Sequence, residues 1–274
     1  MIVEAAPAKI NLALHVRRRR ADGYHDIETL FAFARDGDTV SVEAAETDRF
    51  TITGPFAAGL DAGADNLVTR AAAAFGAAFG VAQAHAITLD KHLPIASGIG
   101  GGSADAAATL RALARLHGVP LDAARLYDVS VALGADVPAC LDGRTTLGTG
   151  RGDALVAIDG LPGTPLLLVN PGVGVSTAAV FRTWDGVDRG AIGEGDLLAR
   201  ARAGRNDLEP PALVLAPVIA DVRALLDAAP GVLLSRMSGS GATCFALFED
   251  GVACADAART ARARGWWCLE TTLG

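Results

Sequence analysis

The chain has 274 residues, and at about 150 residues per domain this length predicts one large domain or two medium ones. The net charge is −7 and no basic stripe with interleaved aromatic residues occurs, so no nucleic-acid partner is expected. The four cysteines form no CxxC pair, no charged-then-apolar leader follows Met1, and no apolar run reaches the roughly 18 residues of a membrane helix. These features exclude a disulfide miniprotein and a membrane protein, and they predict a soluble cytoplasmic protein with reduced thiols.

The first half of the chain is predicted to begin with strands and to continue with helices. Alternating apolar residues indicate strands at 2–16, 27–33, 39–44 and 49–53. The arginine run at 17–20 leads into Asp22-Gly23 and is interpreted as a solvated turn. Helices are predicted over 66–79, 103–116 and 122–133. Further strands are predicted at 86–89, 144–147 and 154–158.

After residue 163 the pattern changes. The predicted strands of this second half lie at 166–169, 232–234, 243–248 and 266–271. Its predicted helices cover 177–184, 196–203, 211–228 and 252–264. The main elements therefore follow the order β-α-β-β-α-β, which is the split βαβ arrangement of ferredoxin-like domains. We predict an α+β fold with two domains and a boundary near residues 150–163.

A glycine-rich string, GIGGGS at residues 98–103, is the strongest functional signal. Glycines let backbone N–H groups surround an anion, and a helix that begins at Ser103 adds unpaired N–H groups and the positive end of its dipole. The string is neither a Walker loop nor a G-x-G-x-x-G fingerprint, and the HRD and DFG motifs of protein kinases are missing. It predicts a phosphate site, the alternative being a flexible turn with Ser103 as an ordinary helix cap.

Other candidate residues are weak when taken singly. The loop SGSG at 238–241 resembles many hairpin turns, and Asp136 is typical of a residue that caps a turn before proline. The five histidines show no metal-ligand spacing, so no protein-held metal is predicted. Lys9 and Lys91 are the only lysines, and Lys91 is interpreted as incidental.

Four stretches taken together resemble the ordered motifs of one family. They are PAKINL at 7–12, PIASGIGGGSADAA at 94–107, LGADVP at 133–138 and SGSGA at 238–242. The set resembles the GHMP small-molecule kinases, whose members include galactokinase, homoserine kinase and mevalonate kinase. The loop departs from the usual family pattern at Ala96, Ser97, Ile99 and Ala104, and these departures leave residues 100–103 intact.

Two further segments narrow the resemblance. ADGYHDIETL at 21–30 and ADNL at 64–67 are similar to segments of those GHMP kinases that phosphorylate a cytidylated polyol for non-mevalonate isoprenoid synthesis. The resemblance covers nearly the whole chain. It implies an N-terminal, ATP-binding domain like ribosomal protein S5 domain 2 over residues 1–155 and a ferredoxin-like C-terminal domain over 156–274.

The resemblance also implies an ATP site with Mg²⁺. The residues that it implies for the nucleotide are Asp65, Asn66, Pro94, Ser97, Gly98, Gly100, Gly101, Gly102, Ser103, Ser238 and Gly239. Asp136 would accept the proton of the attacking hydroxyl. Lys9 would lie beside that hydroxyl and the γ-phosphate, a task that suits a compact point charge.

The substrate implied by the resemblance is a small-molecule cytidylated polyol. Tyr24 and Phe181 would stack on the cytosine and His25 would read its edge, although a helix residue facing the core is the alternative for Phe181. Asn11 and Thr177 would contact the diphosphate or the erythritol end. The segment STA at 176–178 lacks the prolines often found there in the family.

Two other functions remain open from the sequence. A mevalonate-type or homoserine kinase would not need Tyr24 and His25 beside a nucleotide-like head group. A non-catalytic ligand sensor on the same fold would not need both Lys9 and Asp136. The sequence also leaves open whether the protein is a monomer or a homodimer.

Overall fold

A computed structural model describes residues 1–63 and 65–274. Ala64, the first residue of the ADNL segment, lies outside the described residues. The chain forms two compact units that alternate along the sequence. Unit 1 comprises Met1–Ala8, Asp36–Ile95 and Gly100–Gly143, and unit 2 comprises Lys9–Arg35, Ala96–Ile99 and Arg144–Gly274. The domain boundary at residue 155 stays a prediction.

Two long strands, β1 (Ile2–Arg19) and β2 (His25–Ala45), open the chain. The solvated turn predicted at 17–20 was wrong for its first three residues, because Arg17 to Arg19 continue β1. The two strands predicted within β2 were also wrong as separate elements, because β2 continues through the polar residues between them. Alternation alone could not show that these polar residues stay paired in a sheet.

Gly37 shows why β2 stays continuous in unit 1. A Cβ atom at this position would lie 2.7 Å from the Cα of Pro7, so the two strand backbones pass too closely for a side chain. The neighbouring Asp38 is 1% exposed and is therefore part of the interior. The polar residues at this point of β2 therefore reflect the close backbone packing at Gly37 and the buried charge of Asp38.

Unit 1 combines a small sheet with four helices. Strand β3 (Arg49–Thr53) pairs in parallel with β4 (Ala84–Asp90), and β4 pairs antiparallel with residues 39–45 of β2. The helices are α1 (Leu67–Phe79), α2 (Gly101–Leu116), α3 (Ala124–Leu133) and α4 (Val137–Asp142). Helix α2 is lined with buried alanines and contacts the other three, so small side chains allow close helix packing.

Unit 2 contains the remaining strands and helices. Strand β5 (Thr146–Thr149) pairs with residues 29–31 of β2 and with β6 (Ala154–Ala157). The later strands are β7 (Pro165–Asn170), β8 (Val232–Met237), β9 (Cys244–Phe248) and β10 (Trp267–Thr272). These four form an antiparallel sheet in the order β10-β7-β9-β8.

The helices of unit 2 follow the predicted order with one correction. They are α5 (Thr177–Thr183), α6 (Leu197–Ala203), α7 (Glu209–Leu215), α8 (Val218–Asp227) and α9 (Gly251–Arg262). The prediction of a single helix over 211–228 was wrong, because the helix is interrupted at Ala216 and Pro217. A proline disfavours helical backbone in the residue before it, and Ala216 has φ −141° and ψ 79°.

None of the helices within residues 1–63 and 65–274 combines the length and the apolar character needed to cross a bilayer.

The close approach at Gly37 generates a stability prediction. Gly37→Ala should lower the midpoint of urea denaturation, because the new Cβ must displace the Pro7 backbone, at a cost of about 1 to 3 kcal/mol. The control is Gly251→Ala at the first residue of α9, where an added Cβ meets nothing within 4 Å. Equal midpoints for the two variants would contradict the account of Gly37.

Candidate active site

The N-terminus of α2 carries the last four residues of the glycine string in unit 1. Gly100 is the N-cap with φ +64°, and the helix begins at Gly101. The expectation that it begins at Ser103 was wrong by one half-turn, since Ser103 is the third residue of the helix. The first N–H groups of a helix have no partner within it, so the amides of residues 101–103 are the groups at this helix start that an anion could reach.

The spatial surroundings explain the glycine at 101. A Cβ atom on Gly101 would lie 3.1 Å from the Nζ atom of Lys91, and one on Gly102 would lie 3.4 Å from the Cδ1 atom of Leu67. A side chain at 101 would crowd the buried ammonium of Lys91, whereas a Cβ at 102 would only reach van der Waals contact with Leu67. The absence of a side chain at Gly101 therefore serves the packing behind the loop.

Lys91 lies in a buried charge cluster behind this helix start. Its Nζ atom lies 2.5 Å from the Oδ2 atom of Asp38 and 2.6 Å from the Oδ2 atom of Asp105. The other oxygen of Asp38 accepts the backbone N–H groups of His92 and Leu93. The interpretation of Lys91 as incidental was therefore wrong: a compact ammonium joins β2, β4 and α2. The rarity of lysine in this arginine-rich chain was the available signal.

Asp105 is the less satisfied member of the cluster. Its Oδ1 atom is buried and has no hydrogen-bond partner among the described residues. Burial raises the pKa of Asp105 to about 7, although the positive charge of Lys91 opposes this shift. The carboxyl group behind the loop therefore changes its charge near neutral pH.

Asp136 is the N-cap residue of α4 in unit 1. This short helix was missed by the sequence analysis, which expected a turn before Pro138. Within the described part of the chain, the side chain of Asp136 makes no capping hydrogen bond, so the turn-capping alternative does not describe it. The carboxylate is half-buried and is not used to terminate the helix.

Asp65, Asn66 and Pro94 also lie in unit 1. Asn66 is the N-cap of α1: its Oδ1 atom accepts the N–H of Val68 at 2.9 Å, and its Nδ2 atom donates to the Asp61 carbonyl. Asp65 is exposed and Pro94 is buried. The Asn66 side chain therefore caps the first turn of α1. Contact of these residues with adenine stays a prediction.

The two glycine loops meet in unit 2, backbone against backbone. The hydroxyl of Ser238 donates to the Gly98 carbonyl at 3.0 Å, and the N–H of Thr243 donates to the Ser97 carbonyl at 3.1 Å. A Cβ on Gly98 would lie 2.5 Å from the Ser238 carbonyl oxygen, and one on Gly239 would lie 2.7 Å from the Gly98 oxygen. The second loop, weak as a sequence signal, is thus the packing partner of the first.

Lys9 is held in a buried polar network of unit 2. Its Nζ atom donates to the Oδ1 atom of Asn11 at 2.9 Å and lies 5.2 Å from the centre of the Phe31 ring. The amide of Asn11 donates in turn to the Oγ1 atom of Thr29, and its backbone N–H donates to Ser238. The ammonium is therefore fixed in direction. Asn11, predicted as a substrate contact, serves here to orient Lys9.

The predicted base-binding residues lie in unit 2 and form two groups. The rings of His25 and Phe181 lie 4.8 Å apart, so Phe181 stacks on His25 while also packing against the core. Tyr24 is 53% exposed, and the guanidinium of Arg151 lies 5.2 Å from its ring centre. Thr177 begins α5 and its hydroxyl lies 2.8 Å from that of Ser240. A cavity of about 390 Å³ in this unit is lined by residues 18–22.

The charge cluster behind α2 generates a pH prediction. The folded chain binds the Asp105 proton more tightly than the unfolded chain, so this group's contribution to stability is lost as pH rises from about 4 to about 7. As the pH rises from about 5 to about 8, the urea midpoint of Asp105→Asn should therefore fall less than the midpoint of the wild-type protein. The exposed control Asp221→Asn should keep the wild-type slope. An Asp105→Asn slope equal to wild type would contradict the assignment.

Comparison with known proteins gives the family. Residues 66–144 match the GHMP kinases N terminal domain, and residues 189–265 match the GHMP kinases C terminal family. The chain is 57% identical to the 4-diphosphocytidyl-2-C-methyl-D-erythritol kinase of Rhizorhabdus wittichii, with 98% of this chain and 94% of that protein covered. It is 52% identical to the enzyme of the same name from Sphingopyxis alaskensis, with 98% of each chain covered.

A solved structure agrees with these relatives. A crystal structure of 4-(cytidine 5'-diphospho)-2C-methyl-D-erythritol kinase matches with a TM-score of 0.81 and 36% identity, and the match covers 99% of each chain. Sequence motifs, family models and fold point to one group. The chain therefore belongs to the GHMP kinases, in the family of the 4-diphosphocytidyl-2-C-methyl-D-erythritol kinases.

Proposed function

We propose that the protein transfers the γ-phosphate of ATP to the 2-hydroxyl of 4-diphosphocytidyl-2-C-methyl-D-erythritol, a step of non-mevalonate isoprenoid precursor synthesis. The observation that carries this proposal is the 57% identity to a kinase of that name along 98% of the chain. Mevalonate-type and homoserine kinases are not favoured, since the relatives at 57% and 52% identity both bear the cytidylated substrate in their names. A non-catalytic sensor is not favoured either, because Lys9 and Asp136 are both present.

The N-terminus of α2 is proposed to hold the β- and γ-phosphates of ATP. Phosphoryl transfer depends mainly on positioning and on stabilising charge, and the amides of residues 101–103 offer both, with no side chain at residues 101 and 102. Ser97, Gly98, Ser238 and Gly239 are proposed to complete the nucleotide site. Asp65, Asn66 and Pro94 are proposed to lie near the adenine.

Asp136 is proposed to accept the proton of the attacking hydroxyl, and Lys9 to stabilise the alkoxide that forms. The place of Asp136 in the LGADVP segment, which resembles the corresponding family motif, supports the first role. The second is supported by the Asn11 amide, which directs the Lys9 ammonium through a 2.9 Å hydrogen bond. Both groups are proposed to act on the transition state, where a positioned base typically increases the rate by about 10² to 10⁴.

The cytidine group is proposed to bind at Tyr24, His25 and Phe181. The buried Nε2 atom of His25 has no partner among the described residues, which supports a ligand that supplies one. Stacking on an aromatic ring contributes about 1 to 3 kcal/mol per base, so this remote group can position the small polyol. Thr177 and Asn11 are proposed to contact the diphosphate or the polyol.

The finer domain description is also a proposal. The order β10-β7-β9-β8 supports a ferredoxin-like C-terminal domain, because the split βαβ arrangement places its first strand between the third and the fourth. An N-terminal domain like ribosomal protein S5 domain 2, over residues 1–155, is proposed from the family resemblance. A monomer and a homodimer are both compatible with these domains.

Mg²⁺ is proposed to accompany ATP and to neutralise charge on its phosphates. The described residues contain no group of three His, Cys, Asp or Glu side chains placed to hold a metal. Mg²⁺ usually keeps several of its waters and binds through the phosphates, so it needs few protein ligands.

The four free cysteines support a proposed location in the reducing cytoplasm.

The role of Asp136 can be tested by one substitution. Asp136→Asn should lower kcat by about 10² or more, because the amide keeps the shape of the side chain and cannot accept the proton. ATP binding, measured by calorimetry with a non-hydrolysable analogue, should stay within about twofold of wild type. Asp128→Asn on the exposed face of α3 is the control, and near-native kcat in the Asp136 variant would remove the base assignment.

Substrate recognition can be tested with a panel of alcohols. ADP release should be far faster with the cytidylated alcohol than with 2-C-methylerythritol, mevalonate or homoserine, because the base carries much of the binding energy. Tyr24→Ala should lower kcat/KM for the cytidylated alcohol by about tenfold to a hundredfold, while Tyr127→Ala leaves it unchanged. Equal turnover of mevalonate or homoserine would refute the specific substrate and spare the wider family assignment.

A further inference from the structure

Arg19 differs from the other three arginines of its run. Arg17, Arg18 and Arg20 pair with carboxylates, as in the ion pairs Arg17–Asp188 and Arg18–Asp26. Arg19 donates from its Nη2 atom to two backbone carbonyls, those of Arg182 at 3.1 Å and Trp184 at 2.7 Å. Exposed ion pairs contribute little to stability, whereas these two contacts fix the end of another element.

The element that Arg19 holds is the C-terminus of α5. This helix ends at Thr183, and the last carbonyls of a helix lack partners within it. A cation is favoured there because the C-terminal end of the helix dipole is negative. The guanidinium also lies 6.0 Å from the centre of the Trp184 ring, within the range of a cation–π contact. Arg19 therefore ties β1 to the residue that follows α5.

Trp184 connects this anchor to the base-binding residues. It is 3% exposed, and its ring meets that of His25 edge-on at 5.7 Å and 81°. His25 stacks on its other neighbour, Phe181, which lies one helical turn before Trp184. The Nε1 atom of Trp184 and the Nε2 atom of His25 are both buried without a partner in the described part of the chain. One anchored segment thus supports both aromatic groups.

We propose that Arg19 is a positioning residue for recognition of the cytidine group, and that it acts through the end of α5 and Trp184 to hold His25 and Phe181 in place. This inference rests on the proposed function. It adds two residues, Arg19 and Trp184, to a recognition site otherwise made of the aromatic side chains themselves.

The charge of Arg19 has a second effect on the same histidine. Burial, and after it the positive charge of Arg19, lowers the pKa of His25. A neutral imidazole has one donor and one acceptor nitrogen, whereas an imidazolium only donates. The edge of cytosine carries an amino donor beside ring and carbonyl acceptors, so a neutral and firmly oriented ring suits it.

The test compares two nucleotides as well as two substrates. Arg19→Gln should weaken binding of cytidine 5'-diphosphate about tenfold in calorimetry, a loss of about 1.4 kcal/mol, and leave binding of ADP unchanged. It should raise the KM for the cytidylated alcohol by a similar factor and leave the KM for ATP as it is. The control is Arg189→Gln, which breaks the exposed ion pair with Asp185 in the same segment and should change neither ligand.

A double variant tests the route through Trp184. Trp184→Phe keeps an aromatic ring, but the smaller ring should lose part of the contact with His25. It should therefore weaken binding of cytidine 5'-diphosphate as Arg19→Gln does. If Arg19 acts through Trp184, the double variant should be no worse than the worse single one. Additive losses would overturn the proposed route.

The remaining outcomes also decide the proposal. If wild type binds cytidine 5'-diphosphate and Arg19→Gln binds it equally well, the inference is wrong and the proposed function stands. If wild type neither binds this nucleotide nor phosphorylates the cytidylated alcohol, both fall. If Arg19→Gln does not fold, Arg19→Lys decides, since it keeps the charge and loses the fork: a several-fold rise in KM confined to the alcohol supports the inference, and an equal rise for ATP overturns it.

Discussion

The N-terminus of α2 in unit 1 depends on one interaction, the ion pairs that the buried ammonium of Lys91 makes with Asp38 and Asp105. It joins the end of one strand, the middle of another and the first turns of α2. Removing one partner of a buried ion pair costs about 3 to 5 kcal/mol, because the remaining charge stays desolvated. The ion pair with Asp105 thereby fixes the first turns of α2 from the interior of unit 1. The N-terminal end of the helix, where the amides of residues 101–103 lie, needs no side chain for its support.

Unit 2 holds its own part of the glycine string by hydrogen bonds and not by a buried ion pair. Its part of the glycine string is held by the second glycine loop through hydrogen bonds to the carbonyls of Ser97 and Gly98. The same Ser238 hydroxyl accepts the N–H of Asn11, whose side chain directs Lys9. The loop geometry and the direction of the lysine therefore depend on one network of hydrogen bonds among neutral groups.

Most elements could be predicted because apolar alternation and helix periodicity are local signals, as in β3, which has its predicted limits. The family followed from motifs. The errors had two causes. The break at Ala216 and Pro217 has a local cause, a proline that the periodic apolar pattern concealed. Asp38, in contrast, stays in a strand because its charge is paired with Lys91, which lies 53 positions away. The stacking of Phe181 on His25 could not be predicted, since no local pattern fixes the approach of residues 156 positions apart.

The alternation of the two units along the sequence has a consequence for biosynthesis. The chain enters unit 2 at Lys9, returns to unit 1 at Asp36, visits unit 2 again for four residues at 96–99, and leaves unit 1 only after Gly143. A cut after Gly143 releases all of unit 1 only together with residues 9–35 and 96–99 of unit 2. During translation, unit 1 lacks its last helix until residue 142 has left the ribosome, while the early strands of unit 2 wait for the final strand. A prematurely terminated chain would therefore expose unpaired strand edges, and such chains are natural substrates for chaperones and proteases.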